Sequence, residues 1–90
     1  MPRYVVERSF PEGLGIAPDS DGVETCRTVV ERNLDAGVAW LCSFVSADDR
    51  STFCVYEAPS PEAVRRAAGR NGLPVDRITQ VRVLDPYFAG

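Results

Sequence analysis

The stretch WLCSFVSADDRSTFCVYEA, from Trp40 to Ala58, holds two of the three cysteines in the chain, Cys42 and Cys54. Thiolates suit soft or borderline metals such as zinc, nickel or copper(I). A pair of thiols can also close a disulfide or act as a redox couple. Alternatively, both are small apolar strand residues, the usual role of a buried free cysteine. The twelve-residue spacing matches no zinc-ribbon or CxxC pattern. Cys26 falls on an apolar helix stripe and reads as core. An odd cysteine count excludes a complete disulfide framework. The chain has no histidine, so it lacks the commonest general base near neutral pH and the commonest nitrogen ligand.

Glu7 is the carboxylate that chemistry would use. Set into an apolar sheet face, it could serve as a base or supply an oxygen ligand beside the thiols. The plainer reading pairs it with Arg82 on an adjacent strand, since opposite charges across strands are a routine sheet device. Trp40, Phe44 and Tyr56 could wall a pocket with Arg82, although such aromatics are more often interface core. Asp48, Asp49 and Arg50 form a hairpin tip and read as turn chemistry. The Gly-Leu-Gly of the first loop lacks the spacing of a phosphate loop.

These residues depend on the elements that carry them. Arg3–Ser9 is β-branched and aromatic and reads as a strand. A Pro- and Gly-rich loop follows. A helix starts near Ser20 or Asp21, where Asp21 and Glu24 resemble a capping box. Its apolar residues Val23, Cys26, Val30 and Leu34 recur at helical spacing, and Gly37 closes it. Val38–Ser46 and Ser51–Ala58 are the two strands of a hairpin. Ser60 caps a second helix with Pro61 in its first turn, and Asn71-Gly72 ends it. Asp76–Leu84 is the last strand, followed by a short aromatic tail with Tyr87 and Phe88.

The order β-α-β-β-α-β is the split βαβ, or ferredoxin-like, pattern. It predicts one α+β domain over residues 1–90, with a four-stranded antiparallel sheet and both helices on one face. Period two in the strands then assigns faces. Pairing Phe44 with Cys54, and Cys42 with Tyr56, puts Val5, Glu7, Trp40, Cys42, Phe44, Cys54, Tyr56, Gln80 and Arg82 on the uncovered face. Leu41, Val45, Phe53 and Val55 then face the helices. An apolar face of that size calls for cover, which predicts a twofold homodimer packed sheet to sheet.

Composition narrows the partners. The net charge is −3 and all ten basic residues are Arg. That is no nucleic-acid surface, which needs clustered Lys and Arg. No stretch approaches the ~20 apolar residues of a membrane span. The N-terminus turns polar at Glu7 and Arg8, unlike a signal peptide, so a cytoplasmic protein is expected.

The runs RYVVERSFP, TFCVYEAPSPEA and NGLPVDRIT resemble a family of small bacterial proteins known as a domain of unknown function, one member of which is described as nickel-binding. The resemblance spans nearly the whole chain and is loosest from Phe10 to Asp21. It implies a ferredoxin-like dimer and a site for nickel or another transition metal, and it implies no reaction. Glu7, Cys54 and Tyr56 match the family pattern. Cys42 departs from it, standing where members carry His in a W-L-H-S run. That exchange either softens the metal preference or marks a member without the site.

Three readings follow. The first is a dimeric binding protein with a metal site at Glu7, Cys42 and Cys54. The second is a cofactor-free enzyme of cyclase, isomerase or oxygenase type, with Glu7 as base, Arg82 stabilising an anion, and Trp40 or Tyr56 as the wall. That reading rests on fold analogy. The third is a dimerising module without a ligand.

Overall fold

The computed structural model describes residues 1–15, 20–35 and 37–87. Six elements follow in chain order: β1 (Arg3–Ser9), α1 (Ser20–Asp35), β2 (Ala39–Val45), β3 (Ser51–Glu57), α2 (Pro61–Asn71) and β4 (Arg77–Val81). The strands form one sheet in the order β2-β3-β1-β4, and every neighbouring pair is antiparallel. This is the expected ferredoxin-like α+β architecture. β4 is shorter than predicted, and Arg82, Val83 and Leu84 run on beyond it, exposed. The side chain of Asp21, and so the capping box, lies outside the described residues, as does Phe88.

Local chemistry sets the element ends. The Oγ of Ser60 accepts a hydrogen bond from the amide of Ala63 at 3.2 Å, satisfying an orphan donor of the first turn of α2. Pro61 follows at the start of the helix, where it forfeits no helical bond. Gly72 ends α2 in the left-handed region at φ 65°, and the Leu73 amide reaches back to the Ala68 carbonyl at 2.9 Å. After α1, Gly37 takes φ 74° in the same way, with its amide on the Leu34 carbonyl.

The hairpin register differs from the expected one. Ser46 donates to the Ser51 carbonyl at 2.9 Å, so Ala47–Arg50 is the connecting loop. Opposite residues then have numbers summing to an odd total: Val45 faces Thr52, Phe44 faces Phe53 and Ser43 faces Cys54. A bulge between Trp40 and Cys42 shifts the pairing once more, placing Trp40 opposite Tyr56. Every face assignment in β3 is therefore reversed. Thr52, Cys54 and Tyr56 are buried beneath the helices beside Arg8, Val6 and Tyr4, their partners on β1. Phe53 and Val55 lie on the open face with Phe44 and Cys42. Gln80 pairs with Tyr4 and joins the helix side, not the open one.

The core is thin. Its fully buried side chains are led by Val6, Val38 and Val64. α2 buries Ala63, Val64 and Ala67 in the core with Tyr4 and Val6 of β1 and Cys54 and Tyr56 of β3. α1 behaves differently. The expected stripe is its inner face only in part: Cys26 and Val30 are half-buried, short of the core position expected for Cys26, whereas Val23 is 57% exposed and Leu34 is 60% exposed. Asn33 is buried instead, where its Oδ1 accepts from Asn71 Nδ2 at 3.0 Å and ties α1 to the end of α2. Thr25, Thr28, Val29 and Arg32 of α1 line a cavity above the sheet.

Candidate functional site

The cavity has a volume of about 360 Å³ and lies between α1 and the helix-facing side of β1, β2 and β3. Its size falls within the range of small-molecule sites. Phe10, Trp40 and Tyr56 supply aromatic wall. The indole N–H of Trp40 donates to Ser43 Oγ at 2.8 Å, which fixes the ring on this side of the sheet. Thr52 and Cys54 lie on the floor, and the Cys54 thiol points its hydrogen toward Thr52 Oγ1 at 3.7 Å.

One rim of the cavity is held by the hairpin tip. Asp49 adopts φ 63°, a conformation that Asp tolerates better than most residues. Its Oδ2 accepts from the amides of Leu14 and Gly15 at 3.0 and 3.3 Å, and its carbonyl accepts from Leu14 at 2.7 Å. The Phe10 amide bonds the Arg50 carbonyl at 2.7 Å. The turn thus anchors the first loop and brings Phe10 and Leu14 to the cavity.

Arg8 is the electrostatic centre of the site. It is 3% exposed, and its Nη1 donates to the Tyr56 hydroxyl at 3.2 Å. The guanidinium carbon stands 5.6 Å from the centroid of the Tyr56 ring, a cation–π arrangement. Its Nε is buried and has no hydrogen-bond partner among the described residues. Burial pushes the Tyr56 hydroxyl up to about 12, against the opposing pull of the Arg8 charge. Tyr56 is therefore a neutral phenol at physiological pH. Two guanidiniums, Arg8 and Arg32, line the cavity, and no described carboxylate does.

The expected metal donors are separated by the sheet. Cys54 faces the helices, whereas Cys42 is exposed and pairs with Val55 on the open side. Glu7 shares the open face with Cys42 but lies two strands away, across β3. Strand spacing and rise put the two Cα atoms about 12 Å apart, and side chains standing off the sheet stay roughly that far apart. Among the described residues, no group of three or more Cys, Asp or Glu could hold a metal ion within one chain. A single chain therefore does not fit a nickel ion with the donors expected of it.

The other expected contacts also change. Glu7 pairs with Arg77 at 3.9 Å, its register partner on β4, and Arg82 is not involved. Of the expected pocket residues, Trp40 and Tyr56 line the cavity. Phe44 is on the opposite face, 65% exposed, and Arg82 is exposed beyond β4. Glu7 is likewise on the far side of the sheet from the cavity, so the base required by the enzymatic reading is not in it.

Arg8 was missing from the expected site, although period two was enough to find it. With Val5 and Glu7 expected on the open face, alternation puts Arg8 on the helix side, where it lies beside the buried Tyr4 and Val6. Arg32 and the threonines of α1 left no such signal, because they flank the apolar stripe of the helix and do not belong to it.

Comparison with known proteins agrees with this architecture. Residues 4–81 match the family model described as nickel responsive protein SCO4226-like. The crystal structure of SCO4226 from Streptomyces coelicolor A3(2) superposes with a TM-score of 0.72 at 21% identity, covering 92% of this chain and 99% of that one. At that identity the likeness establishes the fold. No curated protein matches the chain. Among the described residues, no helix is long and apolar enough to cross a membrane.

Proposed function

Because the chain belongs to the SCO4226-like family, described as nickel responsive, we propose that it is a binding protein that takes up nickel, or a similar transition metal, between two copies of itself. The observation that carries this reading is the placement of Cys42. Its thiol is exposed on the open sheet face, among Phe44, Phe53 and Val55. Phe44 is 65% exposed and Phe53 40% exposed, an apolar surface that a second sheet would cover.

Two sheets stacked face to face lie about 10 Å apart, which brings a thiol from one within reach of donors on the other. Glu7 is an open-face carboxylate whose one ion pair among the described residues is long, 3.9 Å to an exposed Arg77. A twofold pairing lets Cys42 of one copy meet Glu7 of the other, which one chain cannot do. Thiolate and carboxylate together can ligate nickel, with softer character than the family histidine would give. Cys54 lies on the other face and has no part in this arrangement.

The test is equilibrium dialysis of untagged protein against nickel, with sedimentation velocity run in parallel. The expected result is a dimer that binds nickel with a sulfur-to-metal absorption band. Cys42→Ser removes the band, and Phe44→Arg gives monomers with at least tenfold weaker nickel binding. Unchanged binding by Cys42→Ser, or full-affinity binding by a monomeric Phe44→Arg variant, would overturn the proposal.

A further inference from the structure

We propose that the cavity beneath α1 is a binding site for a small organic carboxylate with a flat apolar body, held by the guanidinium of Arg8. Burying an unpaired charge is costly, and natural proteins bury cations with a counter-charge. Arg8 is buried and, among the described residues, has neither a salt bridge nor a hydrogen-bond partner for its Nε–H. Its Nη1 is bonded to a neutral phenol that cannot supply the missing charge. Arg32, from α1, adds a second cation to a cavity wall that holds no described carboxylate.

The shape of the site narrows the ligand. A guanidinium presents a planar fork that matches a carboxylate through two parallel N–H···O bonds. Tyr56 keeps its proton, so its O–H is a further donor beside Arg8. The rest of the wall is largely carbon, with Trp40, Phe10, Val29 and Leu73 among its lining residues. A volume of about 360 Å³ accepts a ring-sized body and excludes large ligands. An inorganic anion would satisfy the charge but leave that apolar wall unused. The site lies on the opposite side of the sheet from Cys42, so the proposal does not rest on the metal reading.

The test uses thermal unfolding and ligand-observed NMR on the whole protein. The probes are benzoate, phenylacetate and cinnamate, with benzamide as the neutral isostere and inorganic phosphate as the anion without a body. The expected result is a melting temperature that rises with the concentration of at least one carboxylate, as linkage requires. Benzamide should bind at least tenfold more weakly, and phosphate should have less effect than the carboxylate. Arg8→Met should abolish the shift. Val29→Trp, which fills the cavity and leaves Arg8 in place, should abolish it in a folded protein if the first variant fails to fold. No shift with any carboxylate up to its solubility would overturn the proposal, as would equal shifts with benzamide, a stronger response to phosphate, or full binding by either folded variant. The nickel measurement on Cys42→Ser reports on the other face, so the two proposals fail separately.

Discussion

Cys42 and Cys54 belong to one hairpin and lie on opposite sides of the sheet. Cys42 stands opposite Val55 in the open, and Cys54 stands opposite Val6 beneath the helices at 7% exposure. The hairpin thus offers one thiol to solvent and commits the other to the core.

Thiol labelling tests that division. In native protein, Cys42 should react with a small disulfide reagent faster than Cys54 by at least on the order of a hundredfold, because a buried thiol reacts only through opening events. Mass spectrometry of partly labelled protein identifies the site. Oxidation of dilute protein should form no Cys42–Cys54 disulfide within a chain.

Tyr56 should impose an alkaline limit on stability. Its hydroxyl is raised from 10.0 to about 12 by burial, so the unfolded chain releases this proton first as pH rises. The stabilisation that the folded state gains by keeping the phenol neutral is intact below pH 10 and is lost between pH 10 and about 12. The loss from this group is about 2–3 kcal/mol. Urea unfolding across that range measures it, and absorbance near 295 nm should show one tyrosine ionising near 12. In Tyr56→Phe, the decline in this window should be shallower.

The ends of α2 should each carry measurable stability. Ser60→Ala removes the bond to the Ala63 amide and should cost about 1 kcal/mol. Gly72→Ala forces a side chain into φ 65° and should cost about 1 kcal/mol as well. Chemical denaturation of each variant gives both values, and the double variant should be additive, because the two ends share no partner.

The seating of α1 should depend on one amide pair. Asn71→Ala removes the donor to the buried Asn33 and should cost about 1–3 kcal/mol. The effect should be local. Hydrogen exchange should quicken along α1 more than along α2, because α1 presents polar and small groups over a cavity, whereas α2 is packed onto the sheet.

The element order was legible because each boundary carries its own chemistry. Ser60-Pro61 and Asn71-Gly72 bracket α2 within a residue of where it starts and stops. The βαββαβ order then admits few topologies, and the observed strand order is one of them. The faces of the hairpin were less legible. The loop of four residues from Ala47 to Arg50 already demands odd-sum pairing, but the bulge at Leu41 is a second shift that local pattern does not announce. With one register step, Cys54 and Tyr56 move from the open face to the core, and the expected three-donor set separates.

The candidate cavity divides in the same way. Arg8 and Tyr56 sit on strands whose alternation is visible in the residues themselves. Their meeting is a matter of the pairing of β1 with β3. The cavity itself lies where α1 turns Thr25, Thr28, Val29 and Arg32 toward it, whereas α2 fills its share of the core with alanine and valine.

The sequence by itself determined the elements, their order and the ferredoxin-like class, because caps, turn residues and period two act within a few residues of each other. Only the tertiary structure decided which donors share a surface. That depends on register and on helix rotation, both set by contacts between residues far apart in the chain, where a shift of one position exchanges core for solvent.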